Sequence, residues 1–86
     1  MVGDKKKVTF QEKYKQVKTW HDRVLIMEIY HLAMVVRDKK WSLALTAKYF
    51  GCSVGLVSEN LKLAKAIHKT PTIIKVESRD KALKEL

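Results

Sequence analysis

Apolar residues recur along this chain in blocks with helical spacing, separated by short polar breaks. Phe10, Tyr14 and Val17 fall at i, i+4 and i+7, which puts them on one face of a helix over about 10–18. Thr9 and Glu12 flank its start as a capping box, the hydroxyl accepting from the N3 amide while the carboxylate reaches back. Thr19 and Asp22 form a weaker version ahead of a helix over about 20–38. That helix carries Val24, Leu25, Ile26, Met27, Ile29, Leu32, Ala33, Met34, Val35 and Val36 around nearly its whole circumference, and such a helix must be covered on all sides. It is expected at the centre of the bundle; the alternative is that part of it forms a dimer seam.

Asp38-Lys39-Lys40 is a polar break. Ser42 suits the N-cap of a helix over 43–50, and Gly51 suits the left-handed residue at its end. Ser53 caps the next helix, 54–68, with Cys52 and Val57 placed as a hydrophobic staple. Thr70 before Pro71 predicts a short helix, with a strand over 72–76 as its rival. Ser78 caps a last helix with Ala82, Leu83 and Leu86 facing inward. The expected fold is all-α: a compact domain of four to five helices containing a helix-turn-helix.

Composition narrows this further. Eighty-six residues make one domain with a small core. Three glycines and one proline are too few for a protein of sheets and tight turns. One cysteine excludes an internal disulfide framework and a multi-cysteine zinc site. The longest apolar stretch, Val24 to Val36, has 13 residues and contains Glu28 and His31. A membrane span needs about 20 apolar residues. The start, MVGDKKK, is charged and leads into no apolar segment, so the expected location is cytoplasmic.

The net charge of +9 points to a polyanionic partner. Residues 1–18 carry six lysines against Asp4 and Glu12, and residues 42–69 carry four against Glu59. Most of the excess therefore lies on the N-terminal segment, which begins with a basic arm (1–8), and on residues 42–69, which hold the paired helices.

Those paired helices carry the chemistry. Ala47 stands four residues before Gly51, and Val57 six after it. A small residue at 47 lets two helices cross closely, glycine at 51 accepts positive φ, and Val57 plugs the corner. On the second helix Leu56, Val57, Leu61, Leu63, Ala64 and Ile67 share one arc. Gly55, Ser58, Glu59, Lys62, Lys65 and Lys69 share the other, positive and with short polar groups near its start. Residues so disposed suit a recognition helix, whose first turns meet base edges while later lysines meet phosphates. Ser53, Val54, Gly55, Ser58, Glu59 and Lys62 are the expected base-reading residues. Lys5, Lys6, Lys7, Lys48, Lys65 and Lys69 are the expected phosphate-binding ones. Glu59 could accept from a cytosine amino group or pair with Lys62. Asn60 falls in the apolar arc and needs partners, backbone carbonyls of the preceding helix being the candidates. His68, near the same edge, is read as a structural group.

The run SVGLVSENLKL, residues 53–63, follows the S-x-x-x-V-S-x-x-L-x-L pattern and resembles the helix-turn-helix of ParB-type plasmid and phage DNA-binding proteins. The tail PTII followed by SRDKAL looks like the helical segment (71–86) after the motif in such proteins. The resemblance implies sequence-specific binding of duplex DNA, with residues 53–62 in the major groove. The basic arm and long helix also look like the N-terminal DNA-binding domains of phage-satellite replication initiators and phage origin-directed nucleases. That likeness implies a targeting module of a larger protein, recognising a replication origin or an operator. The nucleotide-hydrolysis boxes of ParB proteins are missing from these residues.

Catalysis is not expected. His21, His31 and His68 stand without metal-spaced partners, although Glu28 precedes His31 by three. There is no phosphate loop and no nucleophile signature. Cys52 reads as a small core residue of the turn. No cofactor, metal, small-molecule substrate or membrane contact is expected. The alternatives are a free-standing repressor, dimeric through helix 20–38, and a protein-interaction module; the latter would want an acidic or apolar outer arc on 54–69.

Overall fold

The computed structural model describes residues 9–86. The arm lysines Lys5, Lys6 and Lys7 lie outside them. The described residues form five α-helices and one 3-10 segment: α1 (Phe10–Gln16), α2 (Trp20–Arg37), α3 (Leu43–Phe50), α4 (Val54–Lys69), the 3-10 turn Pro71–Lys75, and α5 (Arg79–Lys84). No strand occurs among them, so residues 72–76 follow the helical alternative.

Each α-helix begins where a hydroxyl can replace a missing carbonyl. Thr9, Thr19, Ser42, Ser53 and Ser78 each accept from the N3 amide. At Thr9 the reciprocal bond is also made, Thr9 N–H donating to Glu12 Oε1 at 3.1 Å. α1 closes at Gln16, earlier than expected, because Val17 turns extended and leads directly to the Thr19 cap.

α2 and α4 are the principal packing pair, and the core falls into two clusters along them. At one end Val24 meets Leu63, Ala64, Ile67, Ile73 and Ala82. Trp20 closes this end by donating its indole N–H to the Val76 carbonyl at 2.8 Å. At the other end Met27, Tyr30, Ala47, Phe50 and Val57 form a largely aromatic core. Tyr30 stacks on Tyr49 with centroids 4.1 Å apart and meets Phe10 and Phe50 edge-on. α1 is held against this end by Gln11, which donates from its backbone to the Tyr49 hydroxyl and from Nε2 to the Tyr49 carbonyl.

Two expectations are corrected. α2 is not covered on all sides: Val24, Met27 and Tyr30 are buried, whereas Ile29, Leu32 and Val36 are exposed. A domain of this size has too few other elements to wrap an 18-residue helix completely. Leu86 does not face inward, because α5 closes at Lys84 and only Ala82 of that helix is buried.

Candidate nucleic-acid interface

α3 and α4 meet at a three-residue turn whose geometry follows from local chemistry. Gly51 has φ 72° and ψ 41°, the left-handed region that a side chain disfavours. Its N–H donates to the Lys48 carbonyl at 3.3 Å, and the Cys52 N–H donates to the Ala47 carbonyl at 3.0 Å. This is the paired hydrogen-bond pattern that closes a helix at glycine. Ser53 starts α4 two residues later, its hydroxyl accepting from the Leu56 amide at 3.1 Å. Ala47 and Val57 are both buried in the aromatic cluster, with Cys52 and Leu56 packed beside them. Burial pushes the Cys52 thiol above its usual range, which keeps it protonated and unreactive.

The buried side of α4 comprises Val57, Asn60, Leu63, Ala64 and Ile67; Leu56 and Leu61 are half-buried at its margins. The opposite side is uncovered. Gly55, Lys62, Lys65 and Lys69 are exposed along it, and Ser58 is half-buried. Among the described residues none of these three lysines is held in an ion pair. Val54 is 45% exposed at the start of the helix. Ser53 is exposed too; its oxygen serves as the cap, and its proton and second lone pair remain free to face outward. Lys48 is exposed on the last turn of α3. A side chain built at position 55 would come no nearer than 3.9 Å to Ser53 Oγ, so glycine is not required there by the protein's own packing.

Glu59 and Asn60 have a partner that neither expectation named. Arg79, the first residue of α5, reaches back over α4. Its Nε donates to Asn60 Oδ1 at 2.6 Å, and its Nη2 donates to Glu59 Oε1 at 2.7 Å. Glu59 is therefore tied to Arg79 rather than to Lys62. Asn60 is 1% exposed, and its amide also donates to Met27 Sδ at 3.3 Å. Those partners replace the backbone carbonyls of α3, which already serve their own helix. Asn60 lies between the aromatic and aliphatic clusters, so the arginine satisfies a polar group at the seam of the core. The signal in the sequence was Asn60 itself: an amide in an apolar arc demands a donor. Its source, 19 residues away, was not legible.

His31 and His68 also choose distant partners. Glu28 does not serve His31; it accepts from His68 Nε2 at 2.8 Å, joining α2 to the end of α4. His31 Nδ1 lies 2.6 Å from Thr46 Oγ1, which also accepts from the Trp41 indole at 2.8 Å. An indole N–H can only donate, so Thr46 Oγ1 accepts from Trp41 and is joined by a second hydrogen bond to His31 Nδ1. Burial holds the His31 pKa below its usual 6.5. The unfolded chain therefore binds this proton more readily than the folded one. The stability contributed is complete above pH 6.5 and is lost as pH falls through the lower folded value. Thermal melts between pH 7.5 and 5 should show the wild type losing more stability on acidification than His31→Gln. Parallel profiles would contradict this assignment.

Among the described residues no group of His, Cys, Asp and Glu is arranged to hold a metal ion, and no helix is long and apolar enough to cross a membrane. Comparison with protein-family models, with curated proteins and with solved structures returned no match.

Proposed function

We propose that this chain binds duplex DNA sequence-specifically, with α4 lying in the major groove. The observation that carries the reading is the uncovered side of α4, small and polar in its first turns and lysine-lined thereafter. A helix about 10–12 Å across matches a major groove about 12 Å wide. Gly55 and Ser58 let the backbone approach the groove floor, and Lys62 can donate to guanine O6 and N7. Lys65 and Lys69, further along, meet phosphates with Lys48 and the arm lysines. Glu59 keeps its Oε2 for a cytosine amino group while Arg79 holds Oε1. Nothing in this arrangement calls for catalysis, so the chain acts as a targeting module or as a repressor. A protein-docking role fits less well, since a positive outer arc repels the basic partners and fails to bury the apolar ones.

The test is a selection from random duplexes, repeated at two salt concentrations. One enriched sequence is expected, with Ser58→Ala or Glu59→Gln altering the preferred base at one position by about 1–3 kcal/mol. A pool that enriches nothing, or a preferred site unchanged by both substitutions, overturns the groove assignment.

A further inference from the structure

A cleft of about 450 Å³ opens where the start of α2 meets the segment leading into α5. Lys18, Arg23 and Arg79 line it, against a single carboxylate, Glu77. Lys18 and Arg23 are exposed and form no ion pair among the described residues. Arg23 uses only Nε, on the Val17 carbonyl at 3.3 Å, which leaves its two terminal nitrogens to donate. Arg79 uses Nε on Asn60 and Nη2 on Glu59, while Nη1 has only Asp80, at 3.9 Å. Glu77 is drawn towards Lys81 at 3.4 Å. His21, which also lines the cleft, has a buried Nδ1 with no hydrogen-bond partner among the described residues. A buried ring nitrogen left open calls for a partner from outside the chain, and an anion's oxygen accepts from its N–H tautomer. Cations that converge without counter-charges are likewise relieved by an anion.

The position of the cleft says which anion. Arg79 spans from the cleft to Glu59 on the uncovered side of α4, so the cleft borders that side. A duplex seated on α4 carries a sugar–phosphate backbone along each edge of its groove, with one negative charge per phosphate. We propose that this cleft receives a backbone phosphate of the duplex beside the groove that α4 enters, with Lys18 and Arg23 as its cations and Arg79 Nη1 as a further donor. The proposal rests on the DNA reading and extends it. The six lysines already assigned lie on the arm, α3 and α4, whereas Lys18 precedes α2, Arg23 is on α2 and Arg79 opens α5. An anchor off α4 fixes the angle at which that helix lies in the groove.

Fluorescence anisotropy of Lys18→Gln with Arg23→Gln tests it, on the selected duplex or on a random one if none is enriched. Both positions are exposed, so the melting temperature should barely move. Each lost contact should lower the magnitude of the log–log salt slope by about 0.9, and the pair by about 1.8, with all sequences weakened alike. Glu77→Gln should tighten binding severalfold, because it removes the carboxylate from the lining. Ethylating single phosphates should reveal at least one position that blocks the wild type but not the double variant. Inorganic phosphate, titrated in the millimolar range by NMR, should shift the amides of residues 18–23 weakly and without saturation. Saturable shifts there, with duplex binding indifferent to the double variant, overturn the proposal and assign the cleft to a small phosphorylated compound. An unchanged slope and ethylation pattern in a protein that still selects its site overturn the cleft and leave the groove assignment standing. A slope that falls as expected on a duplex bound without sequence preference overturns the groove assignment and leaves the cleft. A wild type that binds no duplex overturns both.

Discussion

Binding to a short duplex should weaken about 10³-fold between 50 and 200 mM salt if all six assigned lysines neutralise phosphates, because each releases nearly one counterion. Six contacts give a log–log slope of about −5.4, and a fourfold change in salt then costs a little over three decades. Replacing Lys65 and Lys69 together by alanine should bring the slope to about −3.6, so the same salt change costs about 10²-fold. The loss should be uniform across sequences, since phosphates carry no base identity. Both side chains are exposed and outside ion pairs of the described residues, so the melting temperature should barely move. Fluorescence anisotropy at four salt concentrations reads all of this. A slope near zero for the wild type would remove the electrostatic basis of the proposal. An unchanged slope in the double variant would move the phosphate contacts off α4.

Arg79→Ala is expected to be the most destabilising of the substitutions considered, at about 2–3 kcal/mol. Two bonds are lost, and they differ in worth. The bond to Glu59 is a surface pair, with the glutamate side chain 51% exposed, and contributes about 0–1 kcal/mol. The bond to Asn60 matters more, because that side chain is 1% exposed and its oxygen would be left unpaired in the core, at about 1–3 kcal/mol. For a domain of this length the shift in melting temperature is on the order of 10 °C. Asn60→Leu tests the cause, since it removes the amide that needs the arginine and places an aliphatic residue in an aliphatic arc. In that background Arg79→Ala should cost about 1 kcal/mol or less. A thermodynamic cycle without coupling between the two positions would refute this account. Arg79→Ala should also loosen Glu59 and relax base preference at the position Glu59 reads, an effect that lost stability alone would not produce.

The local elements were legible because their causes are local. A hydroxyl three residues before an amide, a glycine at a helix end and an apolar residue every third or fourth position act over a single turn. Hence Ser42, Gly51 and Ser53 bound α3 and α4 where expected, and the five helices follow in order. The exposed arc of α4 was legible for the same reason: its polar residues share one face of a single helix, and that face is uncovered. Glu59 was not, because its partner comes from another helix.

What the sequence determined, then, is where each helix starts, which side of α4 is apolar, and that the chain is basic. What only the tertiary structure decided is which groups meet across the chain: Arg79 with Glu59 and Asn60, Glu28 with His68 rather than His31, Thr46 between His31 and Trp41. It decided too that α2, apolar all round, is covered on one side only. Periodicity sorts residues within a helix, but it is silent on which of two apolar faces a neighbour will cover. That choice belongs to the packing of whole elements, set by crossing, side-chain volume and the need to satisfy buried polar groups such as Asn60.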